Sequence, residues 1–418
     1  MLLNWINILH FYQPPNISQE TVDEVVKSSY QSWADFLSKH KNVKVTINLT
    51  GCLTERLSNS GHEKLLKQFS KIAARKQIEF LESAAFHPIL PLLPEKEIVR
   101  QIQINNQINK LCFGKFYRPK GFFLPEMAYS EKAARIIKRM GYKYILLDQI
   151  SLNGTLKNKI DNNIKYKIKK IGLNVVFRNR KISRTFVPET IINILEGREK
   201  SIYVNQRSPV SNIITATDGE LYGHRYWNWW PAYSYLTKTQ KRKNTKTNIN
   251  TVTSPLAKGL GKVITLTVSE YLKSLKQERI VQPVESSWES TSQELKKGIA
   301  YALWNHPKNK IHQKLWQLAN FALQLNWGNQ KDPNYFASRL HLENGLASCT
   351  FWWASKKDFK LLSPVAWHPD QVESGARELL SSIRSLEKID AKFKIKAEKM
   401  FNQIRELVWQ KHWKPAAK

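Results

Sequence analysis

Leu3-Asn4-Trp5-Ile6-Asn7-Ile8-Leu9-His10-Phe11-Tyr12-Gln13-Pro14-Pro15 is the stretch that decides the fold. Its apolar run predicts a β-strand over Leu3–His10. Where a dinucleotide-binding first turn would carry a Gly-rich fingerprint, the chain runs instead into His10, Phe11, Tyr12, Gln13 and two prolines. Further short, β-branched runs predict strands over Val43–Thr50, Gln77–Ser83, Gly121–Glu126, Lys143–Asp148, Leu173–Arg178 and Ser211–Thr217, seven in all. Amphipathic segments alternate with them. Thr21–His40 repeats Val22, Val26, Trp33 and Leu37 at helical spacing, and Lys96–Leu111 repeats Ile98, Ile102 and Ile108. Glu131–Met140 follows the N-cap residue Ser130 and stops at Gly141.

Alternating strands and helices suit either a closed barrel or an open doubly wound sheet. The strand ends favour the barrel. His10 and Gln13, Glu82, Glu126, Asp148, and Asp218 with Glu220 all stand at C-terminal ends, which in a parallel barrel converge on one mouth. The expected fold class is therefore α/β, a seven-stranded (β/α) barrel followed by a C-terminal α-helical subdomain. The barrel is expected over residues 1–255. Residues 256–418 are expected to be mainly helical and to complete a substrate cleft, with one more β-like run at Lys262–Val268 and helices over Pro369–Leu380 and Ile389–Val408.

The 418 residues suffice for two packed units. The segment Met1–His10 lacks the basic leader of a signal peptide, and no apolar run reaches the roughly 20 residues of a membrane span. Three widely spaced cysteines, Cys52, Cys112 and Cys349, argue for a reducing, cytoplasmic compartment. The net charge of +32 raises the possibility of a nucleic-acid partner. The basic residues are nevertheless spread along the chain, with one dense stretch at Lys238–Lys246, and read as solvated surface.

Two motifs close an apolar strand with a carboxylate: Phe122-Phe123-Leu124-Pro125-Glu126 and Ile213-Ile214-Thr215-Ala216-Thr217-Asp218-Gly219-Glu220. Facing carboxylates can have their pKa values pushed apart, so that one attacks or stabilises an anomeric carbon while the other delivers a proton to the leaving oxygen. Acids at strand ends also cap helices or pair with Arg and Lys. Of 14 tryptophans only Trp5 and Trp33 precede residue 200, and the flat indole faces of the rest suit pyranose rings as well as packing.

The sequence resembles glycoside hydrolase family 57 from His10 to about Asp370. Leu9-His10-Phe11-Tyr12-Gln13-Pro14 is similar to the family's His-x-His-Gln-Pro signature, with Tyr12 replacing the second histidine. Gln77-Ile78-Glu79-Phe80-Leu81, continuing to Leu92, is similar to its third-strand motif. Phe123-Leu124-Pro125-Glu126 resembles the nucleophile segment and Thr217-Asp218-Gly219-Glu220 the acid/base segment. Ser286-Ser287-Trp288 and Ser348-Cys349-Thr350-Phe351-Trp352-Trp353-Ala354-Ser355 resemble its aromatic substrate-binding segments.

The resemblance implies a retaining enzyme on α-glucan or maltooligosaccharide, working without metal or other cofactor. It implies Glu126 as nucleophile, Asp218 as acid/base, and His10 and Glu79 as sugar-binding residues. Tyr12, Gln13, His224, Trp288 and Trp353 complete the candidate substrate contacts. Asp148 and Arg178 are placed equally for ion pairing or substrate contact, and His87 for fixing a turn. Hydrolysis and transfer share one glycosyl-enzyme intermediate and stay open. So do bond specificity and oligomeric state. A polysaccharide deacetylase would need clustered His and Asp ligands, and a glycan-binding protein with a dead site would lack one carboxylate.

Overall fold

The computed structural model describes residues 2–157, 160–196, 198, 210–223, 252–253, 262–355 and 366–413. Two compact units divide the chain. Met1–Gln13, Ile17–Ala85 and Pro94–Trp288 make the first, and Pro14–Asn16, Phe86–Leu93 and Glu289–Lys418 the second.

In the first unit every expected strand is present: β1 (Leu2–Phe11), β2 (Val45–Leu49), β3 (Ile78–Leu81), β4 (Gly121–Phe123), β5 (Tyr144–Asp148), β7 (Asn174–Arg178), β8 (Val210–Asp218) and β10 (Lys262–Thr265). Three more were not anticipated: β6 (Ile164–Ile168), β9 (Val252–Thr253) and β11 (Gln277–Val281). The strands β1, β2, β3, β8, β9 and β10 form one sheet, and β11-β6-β7-β5-β4 the other. β8 runs beside β1 from Leu2 to His10, while β10 pairs with Leu2–Trp5 and β2 with Ile8–Phe11. All these pairs are parallel, and only β10–β9 and β6–β7 are antiparallel.

The described strands thus make two mixed sheets, and no closed sheet is found among them. The sheets meet at a bridge between Glu82 and Phe122, where Glu82 N donates to Gly121 O at 2.9 Å and Phe123 N to Glu82 O at 2.7 Å. On the far side Asn179 N donates to Ile214 O at 2.8 Å.

Strand alternation sorts the core. Trp5, Leu9 and Phe11 of β1 join Trp33, Phe69 and Ile191 in one apolar cluster. Ile6 and Ile8 face the other way, and with Leu81, Phe123, Leu146, Val176, Ile214 and Ala216 they form a second cluster drawn from both sheets. That parity sends His10 and Asp218 to the same face as the second cluster.

Helix boundaries follow local chemistry. Ser130 Oγ accepts from Ala133 N at 3.2 Å and opens Glu131–Arg139. The expected helix Thr21–His40 runs from Gln19 to Lys39 with a π-turn at Val26–Tyr30. The expected unit boundary at 255/256 falls earlier than the structural one, because β10 pairs with the start of β1 and keeps its neighbours in the first unit.

The second unit is helical, with Lys310–Gly328, Tyr335–Gly345, Pro369–Ser385 and Ala391–Trp413 as its long helices. They enclose Leu315, Leu342, Leu379, Ile404 and Val408. Among the described residues no helix is long and apolar enough to cross a membrane.

Candidate active site

The C-terminal ends of β1, β8, β4, β5 and β7 carry the candidate chemistry. Over Gly121–Ser130 the one residue not buried is Glu126, and over Ser211–Glu220 it is Asp218. Both carboxylates open from otherwise closed surroundings.

Glu126 lies in a tight turn, Pro125–Met127, with φ 58° and ψ 17°. Left-handed backbone is costly for a side-chain-bearing residue and is found where the surroundings enforce it. Here the enforcing segment is Ser286–Trp288. Tyr129 N donates to Ser286 O at 2.8 Å, Trp288 N to Glu126 O at 3.1 Å, and the Trp288 indole N–H to Glu126 Oε2 at 2.8 Å.

His10 stands in register with Asn48 on β2 and Asp218 on β8. Its ring stacks on Phe123, with centroids 4.5 Å apart and planes 10° apart, and meets the Trp288 ring edge-on at 6.2 Å. Burial lowers its pKa to about 3, so the imidazole is neutral. Asn48 Nδ2 lies 2.6 Å from His10 Nδ1. An amide N–H donating there assigns the proton to Nε2 and makes that nitrogen the donor.

Beside Asp218, Glu220 Oε1 collects three donors: the Tyr12 backbone N–H at 3.1 Å, the Gln13 amide at 3.4 Å and the Tyr30 hydroxyl. The π-turn that interrupts Gln19–Lys39 delivers Tyr30, and it also delivers Ser29, whose Oγ donates to Gly219 O at 3.0 Å. Such one-turn irregularities recur at functional sites. Burial, then the Asp218 charge, push the Glu220 carboxyl up to about 8. Gly219 is required here, since a Cβ would stand 1.6 Å from the Phe11 ring.

Asp148 and Arg178, which end β5 and β7, form an ion cluster with Arg180. Arg178 Nε and Arg180 Nε each lie 2.7 Å from an Asp148 oxygen, and all three side chains are buried. The Arg178 guanidinium covers the Trp288 ring at 4.9 Å.

The structure thus gathers His10, Tyr12, Gln13, Glu126, Asp218 and Trp288. Trp288 is expected as a sugar platform, yet one ring face meets Arg178 and its N–H is given to Glu126. Glu79 lies apart, two residues before the strand end and level with Ile8. Its carboxylate accepts from Tyr144 OH and Ser269 N, both at 2.8 Å, and from Ser269 Oγ, so it ties β3 to β5 and to the helix Val268–Ser274. Trp353 belongs to the second unit, against Trp352 and His368. His87, also there, has φ 56° and hydrogen-bonds Ser348 Oγ at 3.0 Å. His224 falls outside the described residues. Glu82 is wholly buried under Asn105, Asn106, Tyr117 and Tyr142 and holds the sheet junction.

The reading of strand ends missed Asn48, Tyr30 and Arg180. Glu220 was visible only as a second acid beside Asp218. Among the described residues no group of three or more His, Cys, Asp or Glu is placed to hold a metal ion.

Comparison with known proteins adds the family. The sequence model of glycosyl hydrolase family 57 matches residues 7–283. Alpha-amylase 1 of Dictyoglomus thermophilum is 28% identical over 141 residues, a stretch that is 34% of this chain and 20% of the amylase. The crystal structure of 4-alpha-glucanotransferase from Thermococcus litoralis superposes with TM-score 0.67 at 16% identity, over 92% of this chain and 60% of that one. A family 57 branching enzyme from Thermococcus kodakaraensis superposes with TM-score 0.64 at 15% identity, over 97% and 95% of the two chains.

Proposed function

The chain belongs to glycosyl hydrolase family 57, and from that premise we propose that it cleaves α-1,4-glucosidic bonds of glucans or maltooligosaccharides with retention. The observation that carries the reading is the pair of openings described above. In two otherwise buried strand ends the partly exposed residues are Glu126 and Asp218, the positions the family resemblance assigns to nucleophile and acid/base.

In this mechanism the Glu126 carboxylate attacks the anomeric carbon while Asp218 gives its proton to the departing glycosidic oxygen. The covalent ester is then opened by water or a sugar hydroxyl, whose proton returns to Asp218. Two inversions leave the configuration retained. Neutral His10 offers its Nε2–H to a sugar hydroxyl at the same face. Tyr12 and Gln13, tied to Glu220, line the approach from β1.

A barrel running β1-β2-β3-β4-β5-β7-β8 is the architecture we infer for this mouth. The Glu82–Phe122 bridge and the Asn179–Ile214 bond support it, since each joins one sheet to the other. The spacing of the three cysteines supports a cytoplasmic setting.

The test is incubation with maltoheptaose of the wild type, Glu126→Gln and Asp218→Asn, with products followed by chromatography. Shorter products alone, lost in both variants, are the expected result for an amylase. Longer and shorter products together indicate transfer. Unchanged substrate with wild-type protein would refute the α-1,4-glucan assignment.

A further inference from the structure

We propose that Arg178 is the positioning residue of the nucleophile: anchored by Asp148, its guanidinium fixes the Trp288 indole, whose N–H fixes the Glu126 carboxylate. The proposal rests on Glu126 being the nucleophile.

The ion cluster has more charge than structure requires. Asp148 contributes −1, and Arg178 and Arg180 contribute +2, all with side chains no more than 6% exposed. A buried cation is costly unless it is matched, and one guanidinium matches one carboxylate. Arg180 already supplies that match, and its Nη2 also donates to Ser287 O at 3.2 Å. With Arg178 on the second oxygen, the cluster carries one positive charge beyond the one that Asp148 neutralises.

The remaining contacts of Arg178 are those of a clamp. Nε holds Asp148 at 2.7 Å, Nη1 donates to Ala216 O at 2.8 Å two residues before Asp218, and the planar group lies over Trp288. A guanidinium suits this use because its rigid fork and flat face act together, which an ammonium cannot do. Glu126 needs such a hold because it is the open member of its turn.

The experiment measures fluoride release from α-maltosyl fluoride. The Glu126 carboxylate forms the C–O bond as the C–F bond breaks, and fluoride leaves with the electron pair without needing the Asp218 proton. Arg178→Lys and Trp288→Phe are each expected to lower kcat about 10- to 100-fold, the worth of a hydrogen bond to a charged group, with KM within threefold. The double variant is expected to match Trp288→Phe alone, because both changes act through one indole. Asp148→Asn is the second variant should Arg178→Lys fail to fold, and its loss is likewise expected to vanish in a Trp288→Phe background.

Losses that multiply in the double variant, or an Arg178→Lys enzyme as fast as wild type, would overturn the proposal while leaving the nucleophile assignment intact. Wild-type fluoride release by Glu126→Gln would overturn that assignment and the proposal with it.

Discussion

Replacing Glu220 by Gln is expected to stabilise the first unit as pH rises. The native carboxyl titrates at about 8 against an ordinary value of 4.5. Between those values the folded chain holds a proton that the unfolded chain releases, so stability falls with rising pH by up to about 1.4 kcal/mol per unit. From pH 5.5 to 7.5 the loss integrates to about 2.5 kcal/mol. Glutamine is shaped like the protonated acid and cannot titrate. All three donors converge on Oε1, so an amide oxygen can take that place and turn its NH2 toward the other side. The variant should therefore unfold like wild type near pH 4.5 and gain on it steadily above. Urea unfolding of both proteins at matched pH reads this directly, since groups not coupled to Glu220 cancel in the difference. A gap that changes by less than about 1 kcal/mol between pH 5.5 and 7.5 would refute the reasoning.

Glu82→Gln should do the opposite and destabilise by about 2–4 kcal/mol, because donors reach both oxygens of Glu82 and an NH2 would face some of them; urea unfolding at pH 7 checks it. Ser130→Ala removes the cap of Glu131–Arg139 and should cost about 1 kcal/mol by the same assay. Gly223→Ala should cost at least about 2 kcal/mol, since φ is +107° and the new Cβ would stand 1.9 Å from Ser28 O. At position 126 the usual order of alanine over glycine should reverse. With φ 58°, Glu126→Gly should be more stable than Glu126→Ala by about 1 kcal/mol, and alanine being the more stable of the two in thermal unfolding would mean that the turn is not left-handed in solution.

Much of this arrangement was legible because strand ends announce themselves. An apolar run that stops at a carboxylate, as at Glu126 and Asp218, gives both a boundary and a candidate. What escaped had other signatures. β11 is Gln277-Glu278-Arg279-Ile280-Val281, mostly exposed at a sheet edge, so it has little apolar pattern to show. β6, Ile164-Lys165-Tyr166-Lys167-Ile168, does alternate buried and part-exposed residues, but its two lysines break the continuous apolar run by which the other strands were recognised. The first compact unit extends past residue 255, where β10 pairs with residues more than 250 positions earlier, a contact that no local window contains. Glu79 keeps its place in the sequence motif, and in the structure its carboxylate accepts from Tyr144 and Ser269, contacts that the motif does not announce.

The two candidate carboxylates end up in unlike electrostatic settings, and the strands explain why. Glu126 follows β4, which pairs with β5, and β5 pairs in turn with β7; these two strands end in Asp148 and Arg178, so an excess positive charge lies behind its indole partner. Asp218 ends β8, whose neighbour β1 sets neutral His10 in register with it and whose own next turn supplies a second carboxyl. A cation nearby favours the ionised form of a carboxyl, and at the end of β8 burial and the Asp218 charge keep a proton on Glu220. The two strand ends therefore differ in charge because of which strand adjoins which. Exchanging the two acids, Glu126→Asp with Asp218→Glu, would keep a carboxylate at each strand end and change only its reach, so the charge each one meets would stay as the strands set it.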